Sequence, residues 1–304
     1  MKKKKVHILV FFLLPVFPLL LMFGGFFFCC HKAGFSPDKI TSHLAYKETW
    51  VTESMTQKQR ELLVETIFPQ TYYYLATGNQ CYAFISEDGQ YVMKFFKMQH
   101  LFPKGWLHNF PFSLLQHLGF EEDADSQVFS ERIFSSYKDA YEALREETGL
   151  IYLHLNKTRE FKSNISLIDK EGRKYTIDLD SVEFIVQKKA TRIYEHLDQL
   201  RTRHQREELR EAIRSFLQLI ATRCERGFVD QSLSIRNNFG YIGNTAIQFG
   251  CATLTRDSSM NFPSNFRQAV LEAADRLGDW ARTKCPEGTF LIQEEAQRII
   301  NQSY

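Results

Sequence analysis

Lys94 stands in Val92-Met93-Lys94-Phe95-Phe96, an apolar run of strand character. An ammonium buried there without a partner is costly. It must find a carboxylate or a phosphate, or bend its stem back to water. Carboxylates are at hand on the amphipathic stretch 126–147, which carries Glu131, Glu142, Glu146 and Glu147. The late positions, Glu142 and Glu146, are the expected partners. Asp178 and Asp180 sit two apart beside Ile177 and Leu179, so both carboxylates fall on one strand face. Such a pair can take a cation, but a half-exposed wet face is the simpler expectation. The histidines lack ligand spacing and no Cys-x-x-Cys occurs, which speaks against zinc. Of six cysteines, Cys29 and Cys30 are adjacent, while Cys81, Cys224, Cys251 and Cys285 are scattered. Spacing leaves a disulfide among those four open.

These residues need elements to hold them. Tyr72–Leu75, Cys81–Ser86 and Tyr91–Lys97 are aromatic or apolar and read as three strands. The turn Ala76-Thr77-Gly78-Asn79-Gln80 is small and polar, and Glu87-Asp88-Gly89 carries the Asp-Gly pair that favours a tight hairpin. Helices are expected over Thr56–Phe68, closed by Pro69, and over Ser126–Glu147, ended by Gly149. Between them His100–Asp125 reads as an irregular insertion whose aromatic residues pack. Ile165–Asp169 and Tyr175–Asp180 flank the turn Lys170-Glu171-Gly172-Arg173, and a strand signal resumes at Val182–Gln187. Lys188-Lys189-Ala190 reads as a crossing between two lobes. Beyond Tyr194 the pattern is helical, over His204–Arg226, Asn265–Lys284 and Phe290–Asn301, with short strands and turns over Phe228–Leu254.

The 304-residue chain opens with Lys2–Lys5 and then an almost purely apolar run, Val6–Cys30. About 20 such residues suffice to cross a bilayer. Phe26, Phe27 and Phe28 stand where cleavage or lipid modification of a cysteine calls for small residues. An uncleaved single-pass anchor is therefore expected, with a secreted or lipid-anchored form as the alternative. The lysine cluster places the N-terminus in the cytoplasm and the domain on the far side. The 44% hydrophobic content is inflated by this run, and the net charge of +2 comes largely from its lysines. The near-neutral remainder offers no nucleic-acid surface. The expected division is an anchor over 1–32, a tether and helix start over 33–60, strands plus a helix over 61–190, and a mainly helical part over 191–304.

From Tyr72 onward the order is three strands, a helix, two more strands, a crossing, helices, a looped strand pair and more helices. That order resembles the protein-kinase-like superfamily. The resemblance implies an α+β, two-lobed fold with a small helical C-terminal lobe, preceded here by a transmembrane helix. It implies a nucleotide cleft formed by Gly78, Lys94, Glu142 or Glu146, and Asn237, holding ATP and magnesium in active members. The phosphate-cradling pattern falls on residues 76–83, where only the central glycine, Gly78, remains. The catalytic-loop pattern lays onto Asp230-Gln231-Ser232-Leu233-Ser234-Ile235-Arg236-Asn237, with Ser232 in place of the catalytic aspartate. Asp230, two residues earlier, is the candidate substitute. The metal-binding Asp-Phe-Gly becomes Gln248-Phe249-Gly250, so the acid that magnesium wants is missing. The expectation is an anchored kinase-like domain that no longer transfers phosphate and serves as a binding or scaffold module for a protein partner. An active atypical kinase using Asp230, or an unrelated anchored α+β domain, is the alternative.

Overall fold

The structure is a computed structural model that describes residues 34–41, 44–98, 124–286 and 288–303. The apolar run 6–30 and residues 100–123 of the expected insertion lie outside the described residues. Among the described residues no helix is long and apolar enough to cross a membrane.

The described chain begins as a strap rather than a free tether. Phe35, Ile40 and Trp50 are apolar and too large to leave in water, and all three are buried. Phe35 meets Tyr82, Phe84 and Tyr175 edge-on, and Trp50 meets Phe134 in the same way. The expected helix over 56–68 is irregular. Thr56 caps a short helix, α1 (Gln57–Glu61), which continues in π-helical turns over Leu62–Ile67.

Three strands follow: β1 (Thr71–Thr77), β2 (Cys81–Ser86) and β3 (Tyr91–Phe96). Asp88 and Gly89, the latter at φ +71°, close the β2–β3 hairpin. There the Asp88 carboxylate accepts from the Gln90 amide and the Ser86 hydroxyl. The expected helix over 126–147 is split into α2 (Ala124–Ala143) and a single turn, α3 (Arg145–Thr148). Gly149, at φ +65°, ends it and lies against Ile247 and Ile242. A strand not expected from the sequence, β4 (Leu150–His154), comes next, then β5 (Asn164–Ile168), β6 (Lys174–Asp178) and β7 (Phe184–Lys188). The sheet order is β4-β7-β3-β2-β1-β5-β6, with only the β1–β5 pair parallel. The strap flanks its β4 edge: Gln59 Nε2 donates 2.7 Å to the Ile151 carbonyl and Thr52 Oγ1 donates 3.5 Å to that of Leu153.

Asp180 lies beyond β6 in a 3-10 turn, Leu179–Ser181, so the expected wet pair on one strand does not form. Its carboxylate is buried and accepts from the Thr158 hydroxyl and the amides of Glu160, Phe161 and Lys162. Burial pushes its pKa up, but those donors together outweigh burial and hold it below the ordinary value.

The second half is mostly helical. After β8 (Thr191–Arg192) come α4 (Ile193–Thr202) and α5 (Arg206–Glu225). Short pieces follow: β9 (Phe228–Asp230), α6 (Ile235–Asn238), β10 (Phe239–Ile242), β11 (Thr245–Gln248) and β12 (Leu254–Arg256). The chain closes with α7 (Pro263–Lys284) and α8 (Gly288–Ser303). One apolar core fills this half and another lies under the far face of the large sheet. A third joins the halves, bringing Phe96, Phe134 and Ile185 against Phe228, Cys251 and Leu254. Cys81, Cys224, Cys251 and Cys285 are buried free thiols, so no disulfide links them.

Candidate functional site between sheet and helices

Lys94 is paired across the sheet with Ala83 on β2 and Ile185 on β7. Side chains alternate along a strand, so it shares its face with Phe96, which packs in the core between the halves. Its Nζ donates to the carbonyl oxygen of Phe249 at 2.7 Å and lies 5.3 Å from the centre of that ring. Burial lowers its pKa, opposed by the sulfurs of Cys251 and Cys81. The partner is thus a backbone carbonyl, not a carboxylate. Glu142 lies 3.8 Å from Lys138 on its own helix, and Glu146 is exposed on α3. Neither forms the expected ion pair with Lys94. The reason is helical phase: α2 turns Phe134, Tyr137 and Tyr141 into the core, and Glu142, one residue beyond Tyr141, points about 100° away. Burial raises the Tyr137 hydroxyl well above its ordinary pKa, and the sulfurs of Cys81 and Cys251 push it further the same way.

Gln248 ends β11 beside the Phe249 carbonyl. Its Oε1 accepts from Arg223 Nη1 of α5 at 2.8 Å. Its Nε2 donates to Asp230 Oδ2 at 2.7 Å and to the Gly250 carbonyl at 3.2 Å. All three side chains are buried. An amide can accept from a guanidinium and donate to a carboxylate at once, which an aspartate cannot do. A carboxylate at 248 would face Asp230 with like charge. Burial lowers the Arg223 pKa and Asp230 opposes that shift.

Asp230, the candidate catalytic residue, is engaged on every side. Besides Gln248, its Oδ1 accepts from the Ser232 amide at 3.1 Å, the Ser232 hydroxyl at 3.2 Å and the Thr253 hydroxyl at 2.6 Å. It is 6% exposed. That geometry ties the carboxylate into a loop, with three donors on Oδ1 and Gln248 on Oδ2. Ser232 itself is exposed, and Leu233 after it adopts φ +35°.

Asn237 is exposed, its side-chain amide donating to Ser234 Oγ at 3.1 Å and its backbone amide to the Ser234 carbonyl at 3.2 Å. Its neighbour Asn238 instead lies against the Gln248–Gly250 turn. A β-carbon added at Gly250 would come within 2.3 Å of Asn238 Oδ1, and the Gly250 amide donates to the Asn238 carbonyl at 3.1 Å. Only glycine fits there. Gly78 closes the β1–β2 turn, its amide donating to the Cys81 carbonyl at 2.9 Å while its own carbonyl accepts from Lys97 Nζ. Two sequence expectations therefore meet, Lys94 and the Gln248–Gly250 turn. Glu142, Glu146 and Asn237 do not join them. Arg223, Asn238 and Tyr137 belong to the site and carried no signal beyond ordinary helix or turn composition. Among the described residues no group of three or more His, Cys, Asp or Glu side chains could hold a metal ion.

No protein-family model matches the chain, and comparison with curated proteins returns no match either.

Proposed function

We propose that this chain is a membrane-anchored, protein-kinase-like domain that does not transfer phosphate and serves as a binding or scaffold module. The run β4-β7-β3-β2-β1, with α2 between β3 and β4, supports the likeness. It is the order of a kinase-like small lobe, with β5 and β6 added beyond β1. The observation that carries the loss of transfer is the Arg223–Gln248–Asp230 chain of hydrogen bonds. Phosphoryl transfer needs carboxylates for metal and for the acceptor hydroxyl. Here one position holds an amide tied at both ends, and the nearest acid, Asp230, is buried and already bonded to Gln248, Ser232 and Thr253.

The test is a thermal-shift titration of residues 34–304 with ATP and magnesium. The strap must be kept because Phe35 and Ile40 lie in the core. The expected result is no stabilisation up to millimolar nucleotide, where a site of about 10 μM affinity would add roughly 2.7 kcal/mol. A magnesium-dependent shift together with ATP turnover, both lost in Asp230→Ala, would establish the active atypical kinase instead.

A further inference from the structure

We propose that the end of the large sheet bearing the turns at 78–80 and 169–173 rests directly on the surface of an anionic lipid bilayer. This inference rests on the anchored reading above. Its first support is distance. The apolar run ends at Cys30, and only His31, Lys32 and Ala33 separate it from Gly34. Four residue steps reach at most about 14 Å. At Gly34 the chain is already held: its carbonyl accepts from Lys39 Nζ at 2.7 Å, and Phe35 is buried against Tyr82, Phe84 and Tyr175. Even with the few residues by which the run exceeds a bare span, little slack remains for the domain to stand away from the membrane.

The second support is what lies around Gly34. The Glu171 carboxylate and Arg173 guanidinium come within 3.4 and 3.7 Å of where its β-carbon would be. β1 and β5 run parallel, Tyr73 beside Ile168, so the turns after each emerge at the same end. Lys39, Lys97, Lys170, Arg173 and Lys174 gather there, against Asp38, Asp169 and Glu171. Arg173 bonds Asp169 and Glu171, and Lys170 pairs with Glu171 at 3.3 Å. Lys39 and Lys97 instead donate to the backbone carbonyls of Gly34 and Gly78. Burial lowers the Lys39 pKa and nearby Lys97 lowers it further, a crowding that lipid phosphate relieves. An excess of cations at this rim suits an anionic headgroup layer.

The experiment uses the full chain in mixed phosphatidylcholine–phosphatidylglycerol vesicles, with Cys29 and Cys30 replaced by serine and the four buried thiols left in place. A fluorophore is attached at Glu171→Cys or, on the helical half, at Asp275→Cys, and quenched by nitroxide-headgroup lipid. The expected result is flotation with the vesicles, and quenching several-fold stronger at 171 than at 275. Reversing Lys170 and Lys174 to Glu is expected to weaken the quenching at 171 without affecting flotation. Flotation with equal quenching at both sites overturns the surface while leaving the anchor intact. Quenching at 171 that survives both charge reversals overturns the cationic contact. A chain that fails to float removes the anchored reading and the surface with it.

Discussion

Gln248 shows how one neutral side chain can bridge two buried charges. Its amide separates Arg223 from Asp230, accepting from one and donating to the other, so the two charged groups are bridged by hydrogen bonds without touching. Gln248→Ala leaves a buried guanidinium and a buried carboxylate each short of a partner. The expected cost is about 1–3 kcal/mol, read as a lowered urea midpoint with an unchanged slope. A loss under about 0.5 kcal/mol would mean the bridge is incidental. That chemistry was half legible in the sequence. Gln248 and Ser232 stand out only through the kinase-like resemblance, which expects acids at their places. Arg223 does not, being one arginine among several on an amphipathic helix. Nor was the partner of Lys94 legible, because every residue carries a carbonyl and no residue type marks the one that is used. Asn237 and Asn238 differ by one position, and only the turn geometry decides which of them faces Gly250.

At the scale of elements, periodicity and turn chemistry found β1, β2, β3 and the long helices. They missed β4, since Leu150–His154 is a short apolar run that reads equally as a helix end. The β5–β6 hairpin took its place in the expected order. The segment between β4 and β5 is held by side-chain hydrogen bonds rather than by a ladder. Asp180 accepts four donors from it, and Lys162 is drawn to φ +49°. His154 adds Nδ1 at 2.9 Å from the Val182 carbonyl and Nε2 at 3.1 Å from Thr158 Oγ1. Folding lowers the Asp180 pKa, so the unfolded chain takes up this proton first as pH falls. The contribution is whole above the ordinary value of 3.8 and disappears as pH drops through the lower folded value. Asp180→Asn is expected to cost about 1–3 kcal/mol at neutral pH. Its acid limb is expected to be flatter than that of the native protein below pH 3.8. Parallel acid limbs in paired urea titrations would show that Asp180 does not contribute to the acid sensitivity.

The whole molecule is two halves that share a core. Lys94 reaches Phe249, Arg256 Nε lies 2.7 Å from Asp139, and Arg226 lies 2.9 Å from Glu147. The two exposed ion pairs are worth little individually. The apolar contact of Phe96, Phe134 and Ile185 with Phe228, Cys251 and Leu254 holds the halves together more strongly than they do. One cooperative transition is therefore expected. With Trp106 replaced by Phe, tryptophan fluorescence from Trp50 at the junction and Trp280 in the helical half is expected to coincide with far-ultraviolet circular dichroism through urea unfolding. Two separated transitions would show that the halves are independent. The large sheet also has two borders, and their treatment bears on how copies of the protein behave in a crowd. An open border strand is a template on which another chain can add. At β4 the outward carbonyls of Ile151 and Leu153 are already taken by Gln59 and Thr52 of the strap. At β6 the strand is five residues long, bounded by Lys174 and Asp178, with Thr176 exposed between them. Neither border offers the long apolar ladder on which stacking into fibrils depends.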